Sequence, residues 1–351
     1  MKSSSYKKLQ GHRVAVIHNV DYLTLPTTDD AIAPPSREAE EEVARTALAI
    51  GTVLAEGGME PYILNVADSL DEIRRQLIDL KVKLVFNLVE SLGNDPAREP
   101  EFAMLLEQLR IPYTGNGPAT LRLAHRKERT RRLLAAHHLP VAAGFAVNSV
   151  EELTDELMAR TKFPVFVKPA HTDASIGIDQ NSVVRTPAAL RKRVTWLRKH
   201  IRGPVLVEAY LPGREINVAI FPNPITGQAV PTEIDFSPFP PGLEKIVTYN
   251  CKWQPNSPEY AAVSRPAIDR IPPELYNEVR CLAFAAFLTI GGVSYGRVDM
   301  RLNEAGRPHI IDVNPNPDID CEAGLAIAAR SVGVEYPDLI AAIAEDASLK
   351  E

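Results

Sequence analysis

The sequence predicts an α/β chain: an open parallel sheet first, then smaller α+β units. Three observations carry this. Short apolar runs alternate with helical periodicity as far as about residue 118, the pattern of repeated strand–helix units. Beyond that point strands come in pairs joined by tight turns, as in "VLVEAYLPGREINV" and "GRVDMRLNEAGRPHIIDVN". The 351 residues also exceed what one simple core organises, so two or three domains are expected.

The elements follow in order. "RVAVIHNV" (13–20) is an apolar run suited to a buried parallel strand. A polar, proline-rich loop (27–36) separates it from a helix over 37–58 that stops at Gly57-Gly58. A second strand (60–67), a helix (70–81) and a third strand (82–91) continue the alternation. Residues 100–118 read as a helix and then a short strand, and 119–140 as one or two basic helices. Next come a strand over 163–170, a loop over 171–179, a helix over 186–201 and a strand–turn–strand over 203–221. A long helix (272–292), the hairpin of 296–314 and a closing helix (336–347) complete the chain.

Composition excludes some functions. A net charge of −6 leaves no electrostatic footprint for nucleic acid. The basic stretches 122–132 and 191–200 read as solvated helix faces. Cys251, Cys281 and Cys321 follow no metal-ligand spacing and suggest a reducing compartment. The apolar run 14–17 is too short for a secretory signal, and 281–293 is too short to cross a bilayer. The expectation is a cytoplasmic protein with no membrane partner.

The hairpin carries the chemistry. Alternation places Arg297, Asp299 and Arg301 on one face, and Ile310, Asp312 and Asn314 on the facing strand, with Ile311 and Val313 opposite. Asp299, Asp312 and Asn314 then gather oxygen ligands of the kind Mg²⁺ takes, and Arg297 would neutralise a transferring phosphoryl group. An exposed hairpin with salt bridges is the plainer alternative, but it leaves Asn314 and "NPNP" unexplained. Lys168 ends the strand "FPVFVK" before a loop with Ser175 and Gly177, a cradle suited to phosphates. In "VEAYLPGREINV", Glu208, Leu211 and Glu215 follow an extended segment able to pair with an adenine edge and hold ribose. Taken alone, an amphipathic strand with two exposed glutamates is the preferred reading there.

Together these pieces resemble the ATP-grasp superfamily, and within it the D-alanine–D-alanine ligases. The resemblance runs from about Val82 to Leu339 with its motifs in family order. It implies an ATP-grasp fold preceded by an N-terminal Rossmann-like domain, with domains at 1–117, 118–205 (the lid subdomain) and 206–351 (the catalytic subdomain). It implies an ATP-dependent carboxylate–amine ligase acting through an acyl phosphate, with two Mg²⁺ ions or Mn²⁺ in their place. "RKERTRRLLAAHHLPV" supplies Lys127 and "FPVFVKP" supplies Lys168 for the ATP phosphates. "TYNCKW" supplies Lys252 for the phosphoryl group. Glu208 and Leu211 lie at the base and Glu215 at the ribose. Ser175 and Arg297 join Lys252 as catalytic residues, and Asp299, Asp312 and Asn314 hold the metal, with Asp312 bridging where relatives carry glutamate. Small-molecule substrates, and a homodimer by analogy, are the implied partners. Residues 171–179 and 236–260 are candidate lids.

The departures lie at the substrate positions. Glu38 is the nearest counterpart of the glutamate that grips the first amino acid. Ala174 replaces the first loop serine, Trp253 replaces a tyrosine, and Glu90 stands where relatives carry histidine. Glu99 could likewise meet an amine or serve only its loop. Asp318 and Asp320 replace the Gly-Met-Thr segment that holds the second carboxylate. They could repel a carboxylate, attract an amine, or cap the next helix. Alternatives within the fold are a ligase with another amino acid or amine, a kinase, and an ATP-binding protein without turnover.

Overall fold

The computed structural model describes residues 9–20, 37–222, 229–267 and 269–349. Strands β1 (Arg13–Asn19), β2 (Glu60–Val66) and β3 (Leu84–Leu88) form a parallel sheet in the order β2-β1-β3. Helices α1 (Arg37–Glu56) and α2 (Leu70–Asp79) make the crossovers. β1 is the central strand and six of its residues are buried, which is why it reads as a continuous apolar run. Gly58, at φ +83, closes the turn after α1. Ser69 caps α2 by accepting from the Asp71 amide. α3 (Glu99–Leu109) follows. The short strand expected after it is absent, and a single bridge between Val85 and Tyr113 stands in its place. The proline-rich loop 27–36 lies outside the described residues.

The basic stretch forms two helices, α4 (Pro118–Ala124) and α5 (Lys127–Ala136). A four-stranded antiparallel sheet follows in the order β4-β7-β5-β6, from β4 (Gly144–Val147), β5 (Val165–Pro169), β6 (Val183–Val184) and β7 (Val205–Ala209). α6 (Asp155–Arg160) and α7 (Pro187–His200) accompany it. Because β7 belongs to this sheet, a boundary at 205/206 cuts through it, and we propose a boundary after Ala209.

The third sheet is antiparallel, in the order β10-β9-β8-β11-β12. Its strands are β8 (Glu215–Ile220), β9 (Ala229–Asp235), β10 (Val263–Pro266), β11 (Gly296–Leu302) and β12 (Pro308–Asn314). The remaining helices are α8 (Tyr249–Trp253), α9 (Pro273–Thr289), α10 (Gly324–Ser331) and α11 (Tyr336–Ser348). α9 packs on this sheet through Val279, Ala283, Ala286 and Phe287.

The hairpin corrects one expectation. Arg297 faces Asn314 and Asp299 faces Asp312, but the register shifts before Met300, which faces Ile310. A bulge of this kind re-aims one side chain. Ile310 therefore joins Val298, Met300 and Val313 in the core, and Ile311 lies on the site side.

The first and third sheets share a core. Val14, Val16 and Phe86 pack in one cluster with Phe221, Tyr295, Leu325, Ile340 and Ile343. This packing brings the carboxyl ends of β1 and β3 toward the loop after β12, where open parallel sheets receive ligands. Among the described residues no helix is long and apolar enough to cross a membrane.

Candidate active site

A cleft lies between the four-stranded and five-stranded sheets. Lys127 opens α5, and its buried Nζ is 2.6 Å from Asp173 Oδ1 and 3.0 Å from Asp312 Oδ2. Burial works against that charge, but the two carboxylates outweigh it and hold the ammonium above its ordinary range. Lys168 lies at the far end of β5. Its Nζ donates to the Ile311 carbonyl at 3.0 Å and pairs with Glu208 at 3.1 Å, with both side chains buried. A narrow cavity between α5, β7 and β12 is lined by Lys127, Arg131, Leu206, Glu208, Ile310, Ile311, Asp312 and Val313, among others. At about 10 Å³ it holds no more than a water molecule as the structure stands, so a flat base would enter only as the two sheets part.

The segment after β7 is less free than expected. The Ala209 and Tyr210 amides already donate to Ala143 and Pro164, so neither is available to a base. Leu211 is buried. Glu215 does not face solvent; it pairs with the buried Arg301 at 3.1 Å. Burial leads, and the Asp299 charge adds, in raising the Glu215 carboxyl despite Arg301.

On the hairpin, Arg297 grips Asp299 through two bonds, of 2.7 and 2.8 Å. Burial opposes the guanidinium charge, and Asp299 more than restores it. Asn314 Oδ1 accepts from the Asn316 amide at 3.0 Å. Among the described residues no three His, Cys, Asp or Glu side chains gather as a ready metal site. The donor set is two facing carboxylates and an amide oxygen, all hard donors suited to Mg²⁺. Asn217 lies opposite Asp299 on β8, and its buried Oδ1 has no hydrogen-bond partner, an unfilled acceptor beside the carboxylates. The residues present fit a magnesium-nucleotide.

Loop 171–179 and the segment 244–259 close against each other. Ala174 and Ser175 are left-handed, at φ 53 and 60. Gly177, at φ +74, sits so close to Pro169 and Ile201 that a Cβ would clash. Ser175 Oγ donates to the Val247 carbonyl, and the Trp253 indole donates to the Ala174 carbonyl, at 3.2 and 3.1 Å. "TYNCKW" forms α8, capped by Thr248, where the sequence suggested a loop. Lys252 is solvent-accessible on α8 and feels the charges of Arg297, Asp299, Asp173 and Asp312. Burial first, and the Arg297 charge second, pull its ammonium down.

The far flank is acidic. Glu90 follows β3, and its amide donates to Asn19 Oδ1 at 3.0 Å. The tips of Glu90 and Asp318 are open to solvent, yet both groups lie deep among protein atoms. Burial, with the charges of Asp318 and Asp173 behind it, pushes the Glu90 carboxyl up to about 7. Burial and Asp320 raise Asp318, and burial lifts Glu99 well above its usual range. Glu99 Oε1 accepts from Asn316 Nδ2 at 3.1 Å. Neither aspartate caps α10, whose cap position is Ala323. Asp320 accepts from the Glu322 amide and from Thr46 on α1. Glu38 falls in the first turn of α1, but its side chain lies outside the described residues.

The fold thus brings Lys127, Lys168, Lys252 and Arg297 to one cleft with Asp299, Asp312 and Asn314. It adds Asp173, Asn217 and the narrow cavity beside β7 and β12, which no sequence signal singled out. Apolar strand residues look like core wherever they face, and Asp173 looks like an ordinary loop residue.

Two small sheets enclosing such a cleft, after a parallel-sheet domain, define the ATP-grasp architecture. The family model for the D-ala D-ala ligase C-terminus matches residues 133–345, and the chain belongs to that family. A D-alanine–D-alanine ligase of Ralstonia nicotianae is 31% identical over 248 residues, 70% of each protein. One of Bordetella pertussis is 27% identical over 316 residues, 90% of this chain and 93% of the relative. The structure of the Bacillus anthracis D-alanine–D-alanine ligase complexed with ATP superposes with a TM-score of 0.71 at 19% identity, covering 97% of this chain and 98% of that one.

Proposed function

We propose that the protein is an ATP-dependent carboxylate–amine ligase of the D-alanine–D-alanine ligase type. The observation that carries this is the convergence of four cations with the Asp299–Asp312 pair in one cleft of an ATP-grasp chain. The base would enter between β7 and β12 as the two sheets part, with Lys127 and Lys168 at the phosphates. Asp299, Asp312 and Asn314 would hold Mg²⁺, which when bound neutralises and orients the phosphates. Lys252 and Arg297 would meet the charge that spreads as a substrate carboxylate attacks the γ-phosphorus and ADP leaves. The acyl phosphate so formed is attacked by an amine, and phosphate departs with the new C–N bond in place. Arg297 would steady the oxyanion of that step. The clasp between loop 171–179 and α8 excludes water from an intermediate that hydrolysis would waste.

A second reading keeps the reaction and changes the amine. Its support is the flank of Glu90, Glu99 and Asp318, which carries carboxylates where a second amino acid would bring its own. Arg297, whose charge reaches Asp318, is committed to Asp299.

The test is ADP release from Mg·ATP with D- and L-amino acids, singly and in pairs, and with simple amines, followed by mass spectrometry. D-alanyl-D-alanine as product supports the first reading. A product lacking a free acceptor carboxylate supports the second. ADP release with a phosphorylated carboxylate and no coupled product would make the protein a kinase.

A further inference from the structure

Asp173 has no part in the mechanism above, yet it holds one of its lysines. Its Oδ1 is 2.6 Å from Lys127 Nζ, and its Oδ2 is 3.6 Å from His125 Nδ1. Lys127 is also 3.0 Å from Asp312. The two carboxylates differ in how they are held. Asp312 sits on a paired strand, opposite Asp299. Asp173 sits in a loop that turns through the left-handed Ala174 and Ser175. The other flank of that loop is tied to the segment around α8. Trp253 donates to the Ala174 carbonyl, Ser175 to Val247, and the Tyr249 amide to the Ile178 carbonyl, at 3.1, 3.2 and 3.0 Å. The loop is therefore fastened by charge at Asp173 and by neutral hydrogen bonds beyond it.

One ammonium cannot neutralise two carboxylates and a polyphosphate together. A phosphate carries more charge than a carboxylate and presents more acceptor oxygens, and Asp312 cannot leave its strand. Asp173 is the group free to yield. Resting on the nucleotide reading of this cleft, we propose that Asp173 is an internal surrogate for a nucleotide phosphate. It occupies Lys127 and keeps the Asp173 end of loop 171–179 fastened until the nucleotide takes the lysine, while the neutral bonds to the α8 segment stay in place. Nucleotide arrival and release of Asp173 from Lys127 are then one event, and Asp173 acts as a positioning residue that sets nucleotide affinity.

The experiment is a titration of Mg·ADP into the full chain, read by calorimetry and by tryptophan emission. The sequence has two tryptophans, so Trp196→Phe leaves Trp253, bonded to the loop, as the only reporter. Asp173→Asn should bind ADP about three- to tenfold more tightly, because a competing partly buried ion pair is gone. Its Trp253 emission before ADP should already match that of the ADP-bound parent. Asp173→Glu should retain the parent's affinity. His125→Gln, which loosens Asp173 without touching it, should tighten binding in the same direction and serves if Asp173→Asn does not fold. Weaker or unchanged ADP binding in both Asp173→Asn and His125→Gln overturns the proposal and leaves the nucleotide reading standing. No ADP binding by the parent chain overturns both.

Discussion

Lys168 and Glu208 offer a test whose size follows from the structure. Their charges are 3.1 Å apart and both side chains are buried. At an effective dielectric of about 20 the attraction is roughly 5 kcal/mol. Desolvating both ions offsets most of it, so the intact pair contributes little net stability. Removing one partner is different. Lys168→Met leaves Glu208 as an uncompensated buried anion and also strands the Ile311 carbonyl. The expected cost is about 3–5 kcal/mol. Glu208→Gln leaves the ammonium with the Ile311 carbonyl and a neutral acceptor, and should cost about 1–2 kcal/mol. The double variant should be less destabilised than the sum by at least about 1.5 kcal/mol, the coupling expected of a contacting pair. Urea denaturation of all four proteins gives the cycle, and calorimetry with Mg·ADP gives the second readout. Both Lys168→Met proteins should bind ADP at least about tenfold more weakly, since restoring charge balance does not restore a phosphate contact. Additive stabilities would refute the reasoning about the buried pair. Unimpaired ADP binding in the double variant would refute the phosphate role of Lys168.

Three further outcomes are expected. Asp299→Ala and Asp312→Ala should each abolish Mg²⁺-dependent ADP release while unfolding stays cooperative, and turnover surviving in both variants would sink the hairpin assignment. Ala174→Ser with Trp253→Tyr should raise the use of D-alanine over other amino acids, since these two residues meet across the loop–α8 contact; an unchanged substrate profile counts against their role. Glu90 has its carboxyl raised from 4.5 to about 7, so the folded chain binds its proton more tightly than the unfolded chain does. The stability this brings is complete below about pH 4.5 and lost as pH rises through about 7. Glu90→Gln should therefore narrow the loss of thermal stability between pH 5 and pH 8, and identical pH profiles would show that Glu90 does not titrate there.

Much of this was legible in the residues themselves. Burial on both sides makes β1 continuously apolar, and β11, almost wholly buried, alternates because one face meets the core and the other the charged site, so both strands could be read from local pattern. Glycine and proline mark where the helices stop and start. The lysines, acids and asparagine of the site were found because their chemistry is unusual on otherwise apolar strands. Tertiary structure alone decided the rest. The bulge before Met300 exchanged Ile310 and Ile311 between core and site, because one unpaired residue reverses every face after it. β7 joined the four-stranded sheet because its hydrogen bonds go to β4 and β5, distant in sequence. Glu215 met Arg301, and Lys127 met Asp173, because charges removed from water must find partners, and the packing of distant segments determines which are in reach. The sequence by itself determined which chemical groups this protein possesses and on which elements they ride. Only the folded arrangement decided which of them face one another across the cleft, since Coulomb and hydrogen-bond energies depend on distances the chain acquires on folding.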